Sequence, residues 1–380
     1  MADYFRNHSK IAFKLFVAAC DELSSRNIVI SPLALQICLA SIYISCSEDL
    51  NSKEMLKLLQ LSKNTSIIEL KDIFSALFQS KSDFFTYHIF NKFYIQNGKI
   101  LNNDFIKNFF HEIKSEVNNI DFNNTNKQNN VEKINKECCK NTNERISQIV
   151  TANDFDETFN TVMTIINAAS LSASWDASFY GARSKENFFN NNNESVEIAM
   201  MENTIPHFKY GEFDEHNIKI AEFRYAGYYE NELAMLVILP IEENQNINEL
   251  LIQLTEIDFF DICNKLQETT MWIKFPKFKM ESKLDILKLL KKINETSSFN
   301  NIIDFSNLIE RETKLKISKI IHKAEVESNE IGTDDRDLPR HLAVCSESPN
   351  LVQYFVNRPF IYVIKDKQVI YFIGKVISFS

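Results

Sequence analysis

The chain has 380 residues, 44% of them apolar, and a formal net charge of −9. That is enough apolar material for a large core, while the acid excess is the wrong sign for a phosphate-binding surface, so no nucleic-acid partner is expected. The most apolar stretch, Leu33–Ser45, is too short and too polar for the ~18 residues of a membrane span, so no membrane association is expected either.

Six glycines are few for a chain of this length, so most turns must be built from Asn and Asp, which tolerate left-handed backbone through local side-chain bonds. Residues Met1–Lys10 are polar, with no apolar h-region and no small-residue cleavage site, so no cleaved secretory leader is expected. A cytoplasmic location follows, with export lacking a cleaved leader as the alternative. The seven cysteines (Cys20, Cys38, Cys46, Cys138, Cys139, Cys263, Cys345) are odd in number and include no Cys-x-x-Cys pair. That pattern reads as free thiols in a reducing compartment, and it offers no metal site. No cofactor is expected.

In chain order, Ser9–Leu23 carries one broad apolar face and reads as a helix. Ser31-Pro32 fits a helix start, with Ser as the N-cap and Pro in the first turn. Ile67–Phe78 is a further helix, Tyr87–Gln96 alternates like a strand, and Asn102 opens a helix. Asn123–Asn130 reads as a solvated loop and Val131–Ile149 as a helix. Phe159–Trp175 reads as a long buried strand, and Asn190–Asn193 as a loop tip. Strands run from Ile218 to Leu239 around the turn Ala226-Gly227, and Leu284–Ile293 is helical. No internal repeat or linker-like composition divides the chain, so residues 1–380 read as one domain.

The last sixty residues carry the most information. A strand from Ile317 leads into Asp334–Asn350, a polar segment containing Pro339 and Pro349. Two β-prone runs, Phe360–Lys365 and Val369–Val376, follow around the turn at Asp366–Gln368. A connection this long without structure of its own is usually a functional loop.

The wording of this region is specific. His322-Lys-Ala, then Val326-Glu-Ser-Asn-Glu-Ile-Gly-Thr333, Arg358-Pro-Phe360 and Phe372-Ile-Gly-Lys-Val376 resemble the hinge and C-terminal signature of the serpins. The resemblance extends upstream in the family's order. It takes in Asn27-Ile-Val-Ile-Ser-Pro-Leu33, Ile166-Asn-Ala-Ala through Trp175 and Phe179, Met200-Met201, Leu233–Pro240 and Phe275-Pro-Lys-Phe-Lys279. Leu171 stands where the family has its first Phe. The Asn-, Ile- and Lys-heavy, leaderless chain resembles poxvirus members. The resemblance implies an α+β serpin fold: a large mixed central sheet, smaller sheets, eight or nine helices and an exposed reactive-centre loop at about 333–350. It also implies a monomer that is not an enzyme, and a pseudosubstrate function toward a serine or cysteine endopeptidase of a host or of the same organism. The alternative is a non-inhibitory binding protein, for example a viral modulator of host responses.

The rival chemistry is Ser/His/Asp catalysis, but no Gly-x-Ser-x-Gly elbow is present. The resemblance instead places Ser31, Asn167 and His322 in the shutter, a buried hydrogen-bonded cluster beneath the main sheet. A second serine common there is Ala34 in this chain. Trp175 maps to the top of the sheet, at the breach where the loop enters, although a tryptophan always fills volume as well.

The hinge maps to Glu330, Gly332, Thr333, Asp335, Asp337 and Pro339. In the family, a cleaved loop enters the sheet as a new central strand, so alternate residues must go inside. Counting from Gly332, the inward set is Thr333, Asp335, Asp337, Pro339 and His341. Thr333 suits this, but a buried unpaired carboxylate at Asp335 or Asp337 costs several kcal/mol. Pro339 lacks the N–H its ladder position needs. A one-residue slip would bury Arg336 and Arg340 instead. Trapping is therefore expected to be weakened. The bond to be cut is Cys345-Ser346 or Ser346-Glu347. The neighbouring Glu347 carboxylate disfavours a reactive Cys345 thiolate. Asp334–Ser348 is expected to be exposed and not paired into the sheet.

Overall fold

The computed structural model describes residues 2–47, 55–56, 58–62, 64–79, 82–122, 127–155, 162–181, 185–190, 194–243, 245–293, 302–333 and 351–379. Segment 334–350 therefore lies outside the described residues, and with it Asp335, Asp337, Pro339, Cys345, Ser346 and Glu347. The Asn190–Asn193 run is described only at Asn190.

Besides Met55, Leu56 and Leu58, which are helical as well, nine α-helical segments are delimited among the described residues. They are α1 (Ala2–Glu22), α2 (Pro32–Ser45), α3 (Ile67–Gln79), α4 (Asn103–Phe105), α5 (Lys127–Asn141), α6 (Tyr228–Asn231), α7 (Ile247–Glu256), α8 (Phe259–Asn264) and α9 (Ile286–Lys292). The strands are β1 (Ile28–Ile30), β2 (Phe85–Gln96), β3 (Glu116–Ile120), β4 (Met163–Ser174), β5 (Lys185–Phe189), β6 (Ser195–Phe213), β7 (Ile218–Arg224), β8 (Ala234–Pro240) and β9 (Gln267–Pro276). They continue with β10 (Phe278–Asp285), β11 (Ile303–Asp304), β12 (Lys314–Leu315), β13 (Ile317–Ser328), β14 (Gly332–Thr333), β15 (Val352–Phe355), β16 (Phe360–Lys365) and β17 (Ile370–Val376).

Two large sheets share the core. One runs β10-β13-β4-β2-β3, with β14 attached to β4. The other runs β1-β17-β16-β8-β7-β6-β9-β15, with β5 attached to β6. Strands β8, β16 and β17 are buried at every position, which explains why they are apolar apart from Gly374 and the buried lysines Lys365 and Lys375. β10 alternates buried and exposed along its length because one of its faces meets solvent. Helix α2 is buried on all sides and is correspondingly apolar apart from Gln36, Ser41 and Ser45. Ser31 is its N-cap, accepting from Ala34 N–H, with Pro32 in the first turn.

Several element boundaries differ from the sequence reading. Helix α5 begins at Lys127 and stops at Asn141, so the helix expected over Val131–Ile149 is misplaced at both ends. Thr142 caps it by accepting from Ile146 N–H and donating to Cys138 O, and Asn143 and Glu144 take positive φ, which ends the helix. Helix α1 starts earlier than Ser9, at Ala2. β4 occupies Met163–Ser174 rather than Phe159–Trp175, and α9 runs Ile286–Lys292 because Asp285 caps its N-terminus. The helix opened by Asn102 turns after α4 into a π-helical stretch, Ile106–Phe110. The six cysteines described are all free, five of them buried.

In the first of these sheets the seam between β13 and β4 positions the candidate site. These strands are parallel neighbours, registered from Ile317–Met163 to Ala324–Ala169. Above that point the ladder stops. β13 continues on β10 alone, while the end of β4 takes β14, with Gly332 opposite Ser174 and Thr333 opposite Ala173.

Candidate functional site: a seam between two central strands and the hinge seated above it

Strand register brings three residues that are distant in sequence into one line. His322 on β13 lies opposite Asn167 on β4, and Asn167 lies opposite Asn91 on β2. All three are buried. Ser31 N–H donates to His322 Nε2 at 3.1 Å. The other ring nitrogen, Nδ1, therefore carries the proton and donates to Asn167 Oδ1 at 2.7 Å. Asn167 Nδ2 then donates to Ala34 O at 3.0 Å and to Asn91 Oδ1 at 3.1 Å. Asn91 Nδ2 passes the chain to Ser115 Oγ at 2.8 Å and Ser41 Oγ at 3.2 Å. Ser31 Oγ donates to Tyr371 O at 2.7 Å and receives the Tyr87 hydroxyl at 2.8 Å.

This arrangement suits structure and not nucleophilic catalysis. His322 meets the backbone N–H of Ser31, while the Ser31 hydroxyl faces Tyr87 and Tyr371, so no base addresses a nucleophile. Burial pushes the His322 pKa down to about 3. A neutral ring is required here, since a second proton on Nε2 would face the Ser31 N–H. Ala34, standing where a serine was expected, contributes its carbonyl and no hydroxyl. Asn91, Tyr87, Ser41 and Ser115 complete the network, and sequence reasoning missed them. The available signal was weak, an Asn at position 91 among the aromatic and β-branched residues of a strand that also carries Thr86, His88 and Lys92.

The second cluster lies at the top of the seam. Trp175 is buried and its ring stacks on Tyr225, with centroids 4.5 Å apart. Its Nε1 donates to Asn329 O at 2.9 Å, and its backbone N–H donates to Ile331 O at 2.6 Å. Asn329 Oδ1 closes the turn after β13 by accepting from Ile331 N–H (2.9 Å) and Gly332 N–H (3.1 Å). Glu330 is paired with Lys277, and its carbonyl accepts from Phe179 N–H at 2.8 Å. Gly332 approaches β4 so closely that a Cβ there would lie 2.0 Å from Ala173 O, so only glycine fits. Thr333 is buried, with its Oγ1 2.6 Å from the Tyr225 hydroxyl.

Of the residues named from sequence, Ser31, Asn167 and His322 thus lie together. Trp175, Glu330, Gly332 and Thr333 lie together above them. Asp335, Asp337, Pro339, Cys345, Ser346 and Glu347 lie outside the described residues. Tyr225 and Asn329 are further members that sequence reasoning did not single out. Asn329 falls inside the hinge string quoted above, but its turn-closing role depends on how the chain folds back onto β4.

The strap that follows α5 crosses the same seam. On β4, Ser170 Oγ donates to Thr142 O at 2.9 Å and Asn143 Nδ2 reaches Ser172 Oγ at 3.3 Å. On β13, Lys323 Nζ donates to Gln148 O at 2.9 Å, and Arg145 pairs with Glu327. Burial alone would raise the pKa of Asp154, yet hydrogen bonds from Lys283, the Thr151 N–H and Lys319 hold it down at about 2. Among the described residues, no group of His, Cys, Asp or Glu is placed to hold a metal ion. No helix of the described residues is long and apolar enough to cross a membrane.

A fold with a parallel central seam and a strand start lodged above it defines a class, and comparison with known proteins agrees. The family model described as Serpin (serine protease inhibitor) matches residues 6–379, and the chain belongs to that family. Human Serpin I2 is 26% identical over 361 residues, covering 92% of this chain and 85% of that protein. Human neuroserpin is 25% identical over 362 residues, with the same coverages of 92% and 85%. Among solved structures, Serpin48 of the insect Tenebrio molitor superposes with a TM-score of 0.82 at 22% identity, covering 99% of this chain and 98% of that one.

Proposed function

We propose that segment 334–350 is offered as bait to a serine or cysteine endopeptidase by a chain that acts as one non-enzymatic, monomeric domain. After cleavage, the freed strand would extend from β14 down the seam between β4 and β13. The observation that carries this reading is the seating of Gly332 and Thr333 in register on β4, directly above the point where the β13–β4 ladder stops. A strand extending from Thr333 would part His322 from Asn167, so that network sets the resistance to insertion. The bond cut would be Cys345-Ser346 or Ser346-Glu347.

The same register weakens the trap. With Thr333 facing inward, Asp335, Asp337 and Pro339 are the next residues on that side, as alternation along a strand requires. Two buried carboxylates and one missing ladder donor oppose insertion. That chemistry favours a second reading, a non-inhibitory binding protein that keeps the fold without the trap.

The deciding experiment is to nick the loop with a low-specificity protease and compare the melting of cut and intact protein. A small rise is expected, and replacing Asp335, Asp337 and Pro339 by Ala should enlarge it. A rise of tens of degrees in the unaltered chain would overturn the weakened-trap reading. Incubation with a panel of serine and cysteine endopeptidases then tests for an SDS-stable complex of summed mass. No such complex from either the unaltered chain or the triple variant would reject the bait reading.

A further inference from the structure

Tyr229 stands further into solvent than any other large apolar or aromatic side chain among the described residues, at 81% exposed. It sits on α6, a single turn entered through Gly227 at φ +71° and left through Glu232 at φ +56°. Acidic residues follow it at Glu230 and Glu232. A solvated loop tyrosine needs no partner, yet this one has one. Its hydroxyl lies 3.4 Å from Arg224 Nη1, and its ring centroid lies 5.8 Å from that guanidinium.

Arg224 is an unusual neighbour for an exposed residue, because its side chain is only 6% exposed. Its Nε is 3.5 Å from Glu222, which is 2% exposed, and its Nη2 is 3.0 Å from Glu268, which is 51% exposed. The Tyr228 ring covers it at 4.5 Å. Lys209 adds a second cation, bonded to the Tyr228 hydroxyl at 2.9 Å and 4.0 Å from Glu222. The guanidinium is thus fixed from below by Glu222 and roofed by Tyr228, and its remaining edge points at the exposed phenol. Arg is the side chain whose planar fork binds a phosphoryl group through two parallel bonds.

We propose that Tyr229 is a phosphorylation site and that Arg224 is the built-in receiver of its phosphate. The transfer is made by a tyrosine kinase using a nucleoside triphosphate. The phenol oxygen forms a bond to the γ-phosphorus, the bond from that phosphorus to the nucleoside diphosphate breaks, and the phenolic proton leaves to the kinase's base. The product carries close to two negative charges. It draws Arg224 from Glu268, the more exposed of its two carboxylate partners, and is repelled by Glu230 and Glu232 on its own turn. The site adjoins the hinge: Arg224 O accepts from Asp176 N–H, and the next residue, Tyr225, holds Thr333. The proposal does not depend on how the 334–350 segment functions.

The test treats the intact, folded chain with a broad-specificity tyrosine kinase domain and magnesium ATP, maps the phosphate by mass spectrometry, and titrates it by phosphorus NMR. Incorporation is expected at Tyr229 in preference to the other tyrosines and is expected to vanish in Tyr229→Phe. The second ionisation of the phosphate is expected about one unit below that of free phosphotyrosine, because a fixed cation favours the dianion. Arg224→Gln should abolish that depression. Since this change also strips Glu222 of a partner, Glu268→Gln serves as the second variant. It leaves the buried pair intact, releases Arg224 to the phosphate, and should deepen the depression. Labelling of other tyrosines with Tyr229 untouched would overturn the proposal. So would an ionisation midpoint equal to that of free phosphotyrosine in both the unaltered chain and Glu268→Gln.

Discussion

The middle and the top of the β4–β13 seam solve opposite problems with similar polar residues. In the middle, backbone ladder and side-chain network coincide. His322, Asn167 and Asn91 are hydrogen-bonded across three adjacent strands at one level of the sheet. At the top the two strands no longer pair. A stacked Trp175–Tyr225 pair, an Asn329 turn and two hinge residues occupy the space instead. Buried hydroxyls there, at Ser174 and Ser328, have no hydrogen-bond partner among the described residues. A satisfied polar row holds one arrangement firmly, whereas a partly satisfied one gives little up when it rearranges. On the proposed bait reading, the seam would part from the top downward, with the His322 row as the stop.

The contrast can be broken most forcefully at the stop. His322→Ala strips Ser31 N–H and Asn167 Oδ1 of their shared partner inside the core. The expected loss is about 3 kcal/mol, measured as a lower denaturation midpoint with accelerated exchange along β4 and β13. An unchanged midpoint would show that the row does not hold the seam.

Acid should reach the same residue without mutation. The folded-state pKa of His322 is lowered from 6.5 to about 3 by burial, so the unfolded chain takes up a proton that the folded chain refuses. Its stabilising contribution is whole above about pH 6.5 and falls as pH drops toward the folded value, by about 2 kcal/mol at pH 5. A His322→Gln variant should lack this component of the slope between pH 7 and pH 4. Equal slopes in the two proteins would contradict the assignment.

The top should respond more gently. Gly332→Ala should give up the β14 pairing together with the contact between Thr333 and Tyr225. Its Cβ cannot coexist with Ala173 O, so Gly332 and Thr333 should leave β4 for solvent, at a cost of about 2 kcal/mol that stays below that of His322→Ala. Proteolysis just after β13 should quicken while the melting point falls only modestly. A large drop in melting point would mean that the top carries as much stability as the middle. Tyr225→Phe removes the hydroxyl facing Thr333 while keeping the stack on Trp175, with an expected cost of about 1 kcal/mol. Faster exchange should be confined to residues near 332 and 333.

Much of this arrangement could be read from the chain itself. The apolar runs of β8, β16 and β17 announce strands buried on both faces. Ser31-Pro32 announces the start of α2, because capping is a local matter of three or four residues. Motif order brought Ser31, Asn167 and His322 into one expected cluster, and the hinge string picked out Gly332 and Thr333. Helix α5 was misread because Ile146 and Ile149 continue an apolar pattern that looks helical. They are buried in the strap that packs on β4 and β13, and local periodicity cannot distinguish the two kinds of burial. Asn91, Tyr87 and Tyr225 escaped notice because each acquires its role from a partner tens or hundreds of residues away.

The sequence by itself determined the family, through the order of its motifs, and the positions that had to be apolar. Period-two alternation also set the expectation, carried into the proposed function, that Asp335, Asp337 and Pro339 oppose burial. None of this needs coordinates. Only the tertiary structure decided which nitrogen of His322 holds the proton, how far up the seam the two strands pair, and that the hinge rests on β4 as far as Thr333. Those outcomes depend on strand register and on hydrogen bonds between residues far apart in the chain. Both are properties of the assembled sheet, since no single segment contains both partners.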